Sequence, residues 1–333
     1  MRLSIRLSTN LAPSDILDCA GLAERSALWG CWFAENPYER SAAVTAAVVG
    51  QAHPDLRLGL GVVVVRLRHP IVFALDVSAA DAFCRHPLRV GLGAGLGDDV
   101  RRDLGLPVRS GLALLSEQID VLRSLLRGGA VPSADPSNAS TIAFKSAGRA
   151  LPVLVGAVGP KTLTLSAELS DGVVLSLGST IAYLKDAIAR VNHARATAPD
   201  RQPLEVVAYS YFGGNLSREE MEAYLKPLAG HFVRTIVSHP EIARLVTGLN
   251  VNLTELGEMA DCLQAGEPVA SVISDDVVDE LCIWGPPDRC AARLADFENA
   301  GVTELAFGLG GWVPDLRRAM GDVAKTAQEW ARR

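Results

Sequence analysis

Eight short apolar runs recur along the chain, and the segments between them have the spacing of amphipathic helices. The runs lie at residues 3–7, 31–34, 58–63, 88–92, 152–156, 172–175, 204–209 and 304–307. Helical patterns cover residues 14–28, 42–52, 71–82, 112–126, 161–169, 181–196, 288–300 and 315–332. Strands that alternate with helices form parallel sheets covered on their faces by those helices. The pattern predicts an α/β fold, the (β/α)8 TIM barrel; an open doubly wound sheet is the alternative, because the strand number inferred from sequence is uncertain.

Two segments interrupt the alternation. Residues 128–150 are rich in Gly, Pro, Ser and Ala and contain one short strand candidate at 142–144, and residues 211–279 carry extra helical patterns at 218–232, 240–246 and 253–264. In a barrel, such insertions lie most usefully over the C-terminal mouth, where active sites are built. Since 333 residues accommodate one barrel with insertions, we expect a single domain over residues 1–333.

The composition excludes several classes of function. The net charge is −6 and no basic tract occurs, which argues against binding of nucleic acid or of an anionic membrane surface. The apolar run at 59–65 is far too short to span a bilayer, and the chain opens on a strand-like run rather than an export signal, so we expect a cytoplasmic protein. The six cysteines form no CxxC pair and no cluster with metal-ligand spacing, which predicts free thiols and no metal.

A turn between an apolar strand and a helix predicts an anion site. Residues 152–156 read as a strand, and Pro160 stands where a helix begins. The backbone N–H groups of Gly156, Ala157, Val158, Gly159 and Lys161 would then face the barrel mouth and could hold a phosphate. The glycines that follow the last strand, Gly310 and Gly311, are a competing position, because phosphate sites are frequent there in these barrels.

Four segments of this sequence carry a resemblance to the luciferase-like superfamily. They are LGLGV at 58–62 followed by Arg-His-Pro at 68–70; RVGLGAG at 89–95; LPVLVGAVGPKTL at 151–163 with AELSDGVV at 167–174; and, more weakly, 277–285 with 301–302. The third segment is similar to that of the coenzyme F420-dependent branch, which includes methylenetetrahydromethanopterin reductase-like oxidoreductases. The resemblance implies a TIM barrel, a deazaflavin cofactor and a homodimer.

The same resemblance implies a place for the cofactor. In relatives, the position of Gly61-Val62 is a bulge with a non-prolyl cis peptide, against which the deazaflavin ring packs. Ala94, Gly95 and Ser176 would lie beside the ring, and the tail would reach the turn at 156–161. The glycine-rich run at 91–97 also invites a dinucleotide-binding interpretation, but its glycines fall at every second residue and miss the required register.

Two residues at the end of the second strand are candidates for the chemistry. Glu35 matches an acidic residue of the family, whereas Asn36 stands where a histidine is common. Asparagine donates and accepts hydrogen bonds but does not titrate, so Glu35 or an external group would carry the proton. Asn10 and Trp312 are expected to contact the substrate, and His69 is expected to have a structural role at a helix start.

These features predict a hydride-transferring oxidoreductase. No nucleophile elbow or phosphate-binding P-loop occurs, so the chemistry is assigned to a bound cofactor. The resemblance implies an F420-dependent reductase or dehydrogenase that acts on a C=C, C=N or similar carbon of a small organic molecule. An FMN-dependent monooxygenase is the first alternative, and a cofactor-free, non-catalytic barrel, suggested by Asn36, is the second.

Overall fold

The computed structural model describes residues 1–26, 28–95, 102–133, 140–145, 148–197, 202–249 and 251–333. Eleven strands lie within them. They are β1 (Arg2–Ser8), β2 (Gly30–Ala34), β3 (Arg57–Val64), β4 (Arg89–Gly93), β5 (Ala130–Pro132), β6 (Thr141–Ala143), β7 (Val153–Gly156), β8 (Gly172–Leu175), β9 (Glu205–Gly214), β10 (Cys282–Trp284) and β11 (Glu304–Leu309).

Helices follow most of these strands. They are α1 (Pro13–Arg25), α2 (Ala42–Ala52), α3 (Pro70–Asp81), α4 (Gly111–Leu126), α5 (Pro160–Leu169), α6 (Ile181–Ala196), α7 (Arg218–Ser238), α8 (Leu253–Gln264), α9 (Val269–Val272), α10 (Asp275–Leu281), α11 (Pro287–Ala300) and α12 (Leu316–Ala331). Short 3-10 helices cover Val65–Leu67 and Pro240–Val246. No helix among these described residues is long and apolar enough to cross a membrane.

Eight parallel strands close into a barrel in the order β1-β2-β3-β4-β7-β8-β9-β11. The last of them, β11, pairs with β1 over Arg2 to Leu7, which joins the two ends of the sheet. This closure confirms the TIM barrel and excludes the open doubly wound sheet. The eight strands coincide with the eight apolar runs of the sequence, since strands covered by helices on one side and packed inside on the other are mostly apolar.

The floor of the barrel is a buried polar network. A carboxylate oxygen of Glu304 on β11 accepts hydrogen bonds from Ser4 Oγ (2.6 Å), Trp32 Nε1 (2.8 Å) and Arg89 Nη2 (2.8 Å). Arg89 Nη1 also donates to Glu205 of β9 at 2.7 Å. Each buried charge therefore has a partner of opposite sign, as burial requires. The network fills the N-terminal end of the barrel, and in barrels of this type ligands bind at the opposite, C-terminal mouth.

The insertions differ in detail from the predictions. The strand expected at 142–144 exists as β6 and pairs antiparallel with β5, whereas residues 134–139 and 146–147 lie outside the described residues. Strand β9 continues to Gly214, so the second insertion begins later than residue 211. Its three helical predictions are confirmed by α7, the 3-10 helix Pro240–Val246 and α8. The short strand β10, which pairs with the outer end of β9, was not predicted.

Candidate functional site

Strand β3 is interrupted by a bulge at the barrel mouth. The peptide bond between Gly61 and Val62 is cis, and the pairing of β3 with β4 shifts register between Leu60 and Val63. The cis bond implied by the family resemblance is therefore present. The buried phenol oxygen of Tyr209 lies beside Gly61, where an added Cβ atom would overlap it, so that only glycine fits.

The bulge turns the side chain of Val62 into the barrel interior, where it lies over the glycines that end β4 and β7. A Cβ atom added to Gly93 of β4 would lie 2.6 Å from Val62 Cγ2, and one added to Gly156 of β7 would lie 3.0 Å from Val62 Cγ1. Both contacts are closer than packed carbon atoms tolerate. We call Val62, Gly93 and Gly156 the Val62 platform; the Val62 side chain covers both strand ends and forms an apolar surface there.

The turn after β7 leads into a helix with an open N-terminus. Ala157 N donates to Val174 O (3.1 Å) and Val158 O accepts from Tyr183 Oη (2.9 Å), which fixes the turn against β8 and α6. Gly159 is the N-cap of α5 and supplies no capping side chain, and a Cβ atom added to it would meet no atom within 4 Å. Pro160 follows at the first helical position, and Lys161 is exposed. Free N–H groups and the helix dipole make this terminus suited to an anion.

The competing anion position after β11 is less suitable. Gly310 is covered by the Trp312 ring, which an added Cβ atom would overlap. The following helix, α12, is capped by Asp315, whose Oδ1 accepts from Arg318 N at 2.9 Å. A carboxylate already satisfies this helix terminus and would repel a second anion. Of the two candidates, the turn at 156–161 has the better geometry for a phosphate.

Ala94, Gly95 and Ser176 flank this turn on the neighbouring strands. Ala94 follows β4 and is half-buried, and its carbonyl accepts from Arg66 Nε at 3.0 Å. Gly95 is exposed, with a φ of 81° that favours glycine. Ser176 follows β8 and is half-buried. Residues 96 and 97, which complete the glycine-rich run, lie outside the described part of the chain.

Glu35 is held in a buried ion pair at the end of β2. Its two oxygens are bound by the guanidinium of Arg68, and Oε2 also accepts from the backbone N–H of Ala42 at 3.0 Å. The Glu35 side chain is only 4 % exposed. These contacts tie the loop before α3 to the first turn of α2. The proton-handling role expected of Glu35 stays a prediction, and its partners favour a positioning role.

A second carboxylate, which the sequence did not single out, lies at the mouth. Glu39 Oε2 accepts from Ser8 Oγ (3.2 Å) and Thr9 Oγ1 (3.1 Å), at the end of β1. Asn36, which is exposed, donates from Nδ2 to Glu39 Oε1 at 2.8 Å. Asn10 follows Thr9 in an exposed turn. The structure thus brings Asn36 and Asn10 to a rim whose titratable group is Glu39.

Aromatic rings form the wall beside this rim. The Trp312 ring packs edge-on against Tyr211 of β9 with centroids 5.5 Å apart, and Tyr211 contacts Phe232 of the inserted helix α7 at 6.4 Å. Burial raises the pKa of Tyr211 to about 12, so this phenol is neutral at physiological pH. Deeper in the barrel, the guanidinium of Arg6 on β1 lies over the ring of Tyr209. Neither residue was predicted from the sequence as part of the site. His69 caps α3 by accepting from Ile71 N at 3.3 Å, the structural role expected of it.

A polar cavity of about 630 Å³ lies outside the barrel, between the second insertion and α11. Five of its six charged side chains are paired with one another: Arg289 binds Asp279, and Arg293 binds Glu280 and Asp296. Among the residues that the structure describes, no group of three or more His, Cys, Asp or Glu side chains is placed to hold a metal ion. The features that suit a ligand are thus concentrated at the mouth.

Known proteins resemble this chain over nearly its full length. A family model described as "Luciferase-like monooxygenase" matches residues 1–304. A 5,10-methylenetetrahydromethanopterin reductase of Methanolobus tindarius is 26% identical over 310 residues, covering 89% of this chain and 91% of the relative. The structure of the coenzyme F420-dependent tetrahydromethanopterin reductase from Methanopyrus kandleri matches with a TM-score of 0.82 at 19% identity, covering 97% of each chain.

An FMN enzyme has a similar fold. The oxygenating constituent of the 3,6-diketocamphane monooxygenase of Pseudomonas putida, solved in complex with FMN, matches with a TM-score of 0.71 at 13% identity. The match covers 100% of this chain and 99% of the other. At such identities the fold alone is shared, and it occurs with either cofactor.

Proposed function

Because this chain belongs to the luciferase-like monooxygenase family, we propose that it is a coenzyme F420-dependent oxidoreductase. It would transfer a hydride between the deazaflavin and a C=C, C=N or similar carbon of a small organic substrate. The observation that carries the proposal is the uncapped N-terminus of α5 next to the cis bulge of β3. The reductase names of the relatives that match nearly the whole chain support F420 over FMN.

The residues present fit this coenzyme. The Val62 platform offers a surface for a flat ring, and Gly159, Pro160 and Lys161 offer backbone N–H groups and a positive charge for a phosphate. Ala94, Gly95 and Ser176 would lie along the ring between these two places. When bound, the coenzyme supplies a two-electron hydride carrier, and the protein supplies position and electrostatics.

The remaining chemistry falls to the rim. We propose that Glu39 holds the proton that accompanies hydride transfer and that Asn36 orients its carboxylate. Glu35 would act as a positioning residue through Arg68 and the start of α2. Tyr211 and Trp312, backed by Phe232, would keep water from one side of the reacting carbon.

The test is an equilibrium titration of the purified protein with oxidised coenzyme F420 and, separately, with FMN. We expect saturable F420 binding and at least tenfold weaker FMN binding, a difference of about 1.4 kcal/mol. Tighter binding of FMN would favour the monooxygenase alternative, because the turn at 156–161 could also hold the phosphate of FMN. Binding of neither would favour the cofactor-free barrel.

We also propose that the protein is a homodimer formed through α2 and α3. Val44 and Val48 on α2, and Val72 and Leu75 on α3, each expose half or more of their surface. The sequence of α2, AAVTAAVVGQA, contains no charged residue. Contiguous apolar patches of this kind mark interfaces, and a two-fold interface between identical copies is the commonest arrangement.

The free thiols and the net charge support a proposal for the compartment in which the enzyme acts and for the class of its ligands. All six cysteines are free thiols, four of them buried, and we propose that the protein acts in the reducing cytoplasm. Its ligands would be small molecules rather than nucleic acid or membrane, in keeping with the net charge of −6. We propose that residues 1–333 act as one domain.

A further inference from the structure

Arg6 lies inside the barrel, where most neighbours are uncharged. On β1, Ile5 and Leu7 are fully buried in the core shared with the outer helices, so Arg6 points to the opposite, inner side. Its register partners are Trp32 on β2 and Gly308 on β11. Arg6 therefore sits one layer above the polar floor and below the rim.

Among the residues that the structure describes, none forms a hydrogen bond or an ion pair with the side chain of this arginine. Its Nε is buried and donates no hydrogen bond. Its guanidinium carbon lies 5.6 Å from the centroid of the Tyr209 ring. Burial lowers the pKa of Arg6, but an arginine remains charged in proteins.

The other arginine inside the barrel makes a clear contrast. Arg89 is bound by Glu304 and Glu205, which balance its charge within hydrogen-bond distance. The carboxylate that acts electrostatically on Arg6 is that of Glu39, which is already bound by Ser8, Thr9 and Asn36 at the rim. Arg6 is half-buried, and a cation that has lost part of its hydration and has no ion-pair partner is stabilised when a ligand supplies the opposite charge.

Two further polar groups near Arg6 lack partners. Tyr209 Oη and Trp312 Nε1 are buried and make no hydrogen bond with the described residues. Tyr209 lies under Arg6, and Trp312 packs against Tyr211, which follows two residues later on the same strand. Unsatisfied buried donors are rare in native structures. Of the seven such side-chain atoms in the described residues, three lie around one layer of the mouth, which indicates a polar ligand held between aromatic rings.

The position of Arg6 separates this ligand from the coenzyme. In the closed order of strands, β1 and β7 are four steps apart in either direction, so they face each other across the barrel. The phosphate turn at 156–161 follows β7, whereas Arg6 is on β1. A coenzyme whose phosphate lies at that turn leaves Arg6 for the other reactant.

We propose that Arg6 binds a carboxylate of the substrate, so that this enzyme acts on organic acids whose reacting carbon lies near the carboxylate. A single planar guanidinium suits a carboxylate, which it binds through two parallel hydrogen bonds. Tyr211 and Trp312 suit a planar or unsaturated chain attached to it. The inference rests on the proposed function, because the carboxylate belongs to the substrate that would exchange a hydride with the coenzyme. The anion site itself depends only on Arg6 and its surroundings.

The test compares two probes that differ in charge and not in shape. Isothermal titration calorimetry would measure binding of cinnamate and of cinnamamide to the protein, with and without saturating F420. We expect cinnamate to bind at least tenfold more tightly, and Arg6→Gln to remove this preference while the affinity for cinnamamide changes less than about twofold. Arg85→Gln, an exposed arginine paired with Asp55, is the matched control and should keep the preference.

Three outcomes would overturn the proposal: equal binding of the two probes to the wild-type protein, no binding of cinnamate, or a preference that survives Arg6→Gln. If Arg6→Gln does not fold, Arg6→Lys keeps the charge and should keep part of the preference, and the wild-type comparison needs no variant. If F420 does not bind but the preference and its loss are both observed, the proposed function fails and the carboxylate site stands.

Discussion

The guanidinium of Arg68 binds both carboxylate oxygens of Glu35, and this pair joins the loop before α3 to the end of β2. Arg68 is about a quarter exposed and Glu35 is almost fully buried. The backbone N–H of Ala42 completes the arrangement at the first residue of α2. These contacts fix Glu35 at one end of the rim loop and Ala42 at the other, and the loop between them carries Asn36 and Glu39.

Glu35→Gln should lower stability without changing the protonation chemistry. It removes the main counter-ion of Arg68, whose other carboxylate contact is with Asp76 at 3.8 Å, and we expect this to cost about 3 kcal/mol, the lower end for breaking a buried pair. Urea unfolding would measure the loss, and the pH profile of turnover should keep its shape. A flattened profile with unchanged stability would instead make Glu35 the proton carrier.

Glu39→Gln should give the reverse result. Glutamine still accepts hydrogen bonds from Ser8 and Thr9, so the unfolding free energy should change by less than about 1 kcal/mol. Loss of a titrating group should lower kcat about 100-fold, as measured by coenzyme absorbance during turnover. Glu298→Gln, at the opposite end of the barrel beside the N-terminus, is the control. Full activity in Glu39→Gln would remove Glu39 from the mechanism.

Two glycines with open surroundings distinguish the two anion positions. A Cβ atom added to Gly159 or to Gly311 meets no atom within 4 Å, so Gly159→Ala and Gly311→Ala should both fold normally. The first adds a methyl group in front of the α5 terminus and should weaken F420 binding about tenfold, or 1.4 kcal/mol. The second should leave it unchanged. The opposite ranking, measured by fluorescence titration, would move the phosphate to the end of β11.

Glu304→Gln should destabilise the protein in a pH-dependent way. Burial disfavours the charged form of Glu304, but hydrogen bonds from Arg89 outweigh it and lower the pKa. A lowered folded-state pKa stabilises the fold above the unfolded pKa of about 4.3, and this contribution is lost as the pH falls through the folded value. We therefore expect a loss of about 3 kcal/mol at neutral pH.

Denaturant unfolding from neutral to acidic pH would measure this dependence. The difference between wild type and Glu304→Gln should shrink as the pH falls below about 4. Burial raises the pKa of Glu205, and the neighbouring charge of Glu304 raises it further, so the difference between the two proteins reports the coupled pair of carboxylates. A difference that stays constant to acid pH would contradict the role given to this charge.

Val48→Glu should dissociate the proposed homodimer. Val48 exposes 53% of its surface on the uncharged helix α2, and a buried carboxylate at a two-fold interface would face its own copy. Sedimentation velocity should report a dimer for wild type and a monomer for the variant. Leu253→Glu places the same charge at another exposed apolar residue and should remain dimeric. A wild-type monomer would refute the interface.

The eight barrel strands were readable from the sequence because parallel strands covered by helices are mostly apolar. Two short strands were not predicted: β5, which pairs with the predicted β6, and β10, whose three residues follow directly on α10 without a turn signal. The glycine turn after β7 was also predictable, since Gly159 and Pro160 begin a helix in a recognisable way.

The interior polar residues could not be predicted in the same way. In the sequence LSIRLS of β1, alternation identifies two faces but does not say which one turns inward. An arginine there reads as solvent-facing, and only closure of the barrel places Arg6 inside. Glu39 was missed because it stands in a polar loop, where a carboxylate carries no signal until Ser8 and Thr9 are brought beside it.

The floor of the barrel has a consequence for the chain as it is made. Arg89 is in the first third of the sequence, whereas its partner Glu304 is on the last strand, 215 residues later. A growing polypeptide therefore carries an interior arginine whose main counter-charge has not yet been synthesised. The barrel can complete its polar floor only after residue 304 has left the ribosome, so closure between β4 and β11 belongs to the end of synthesis rather than to its course.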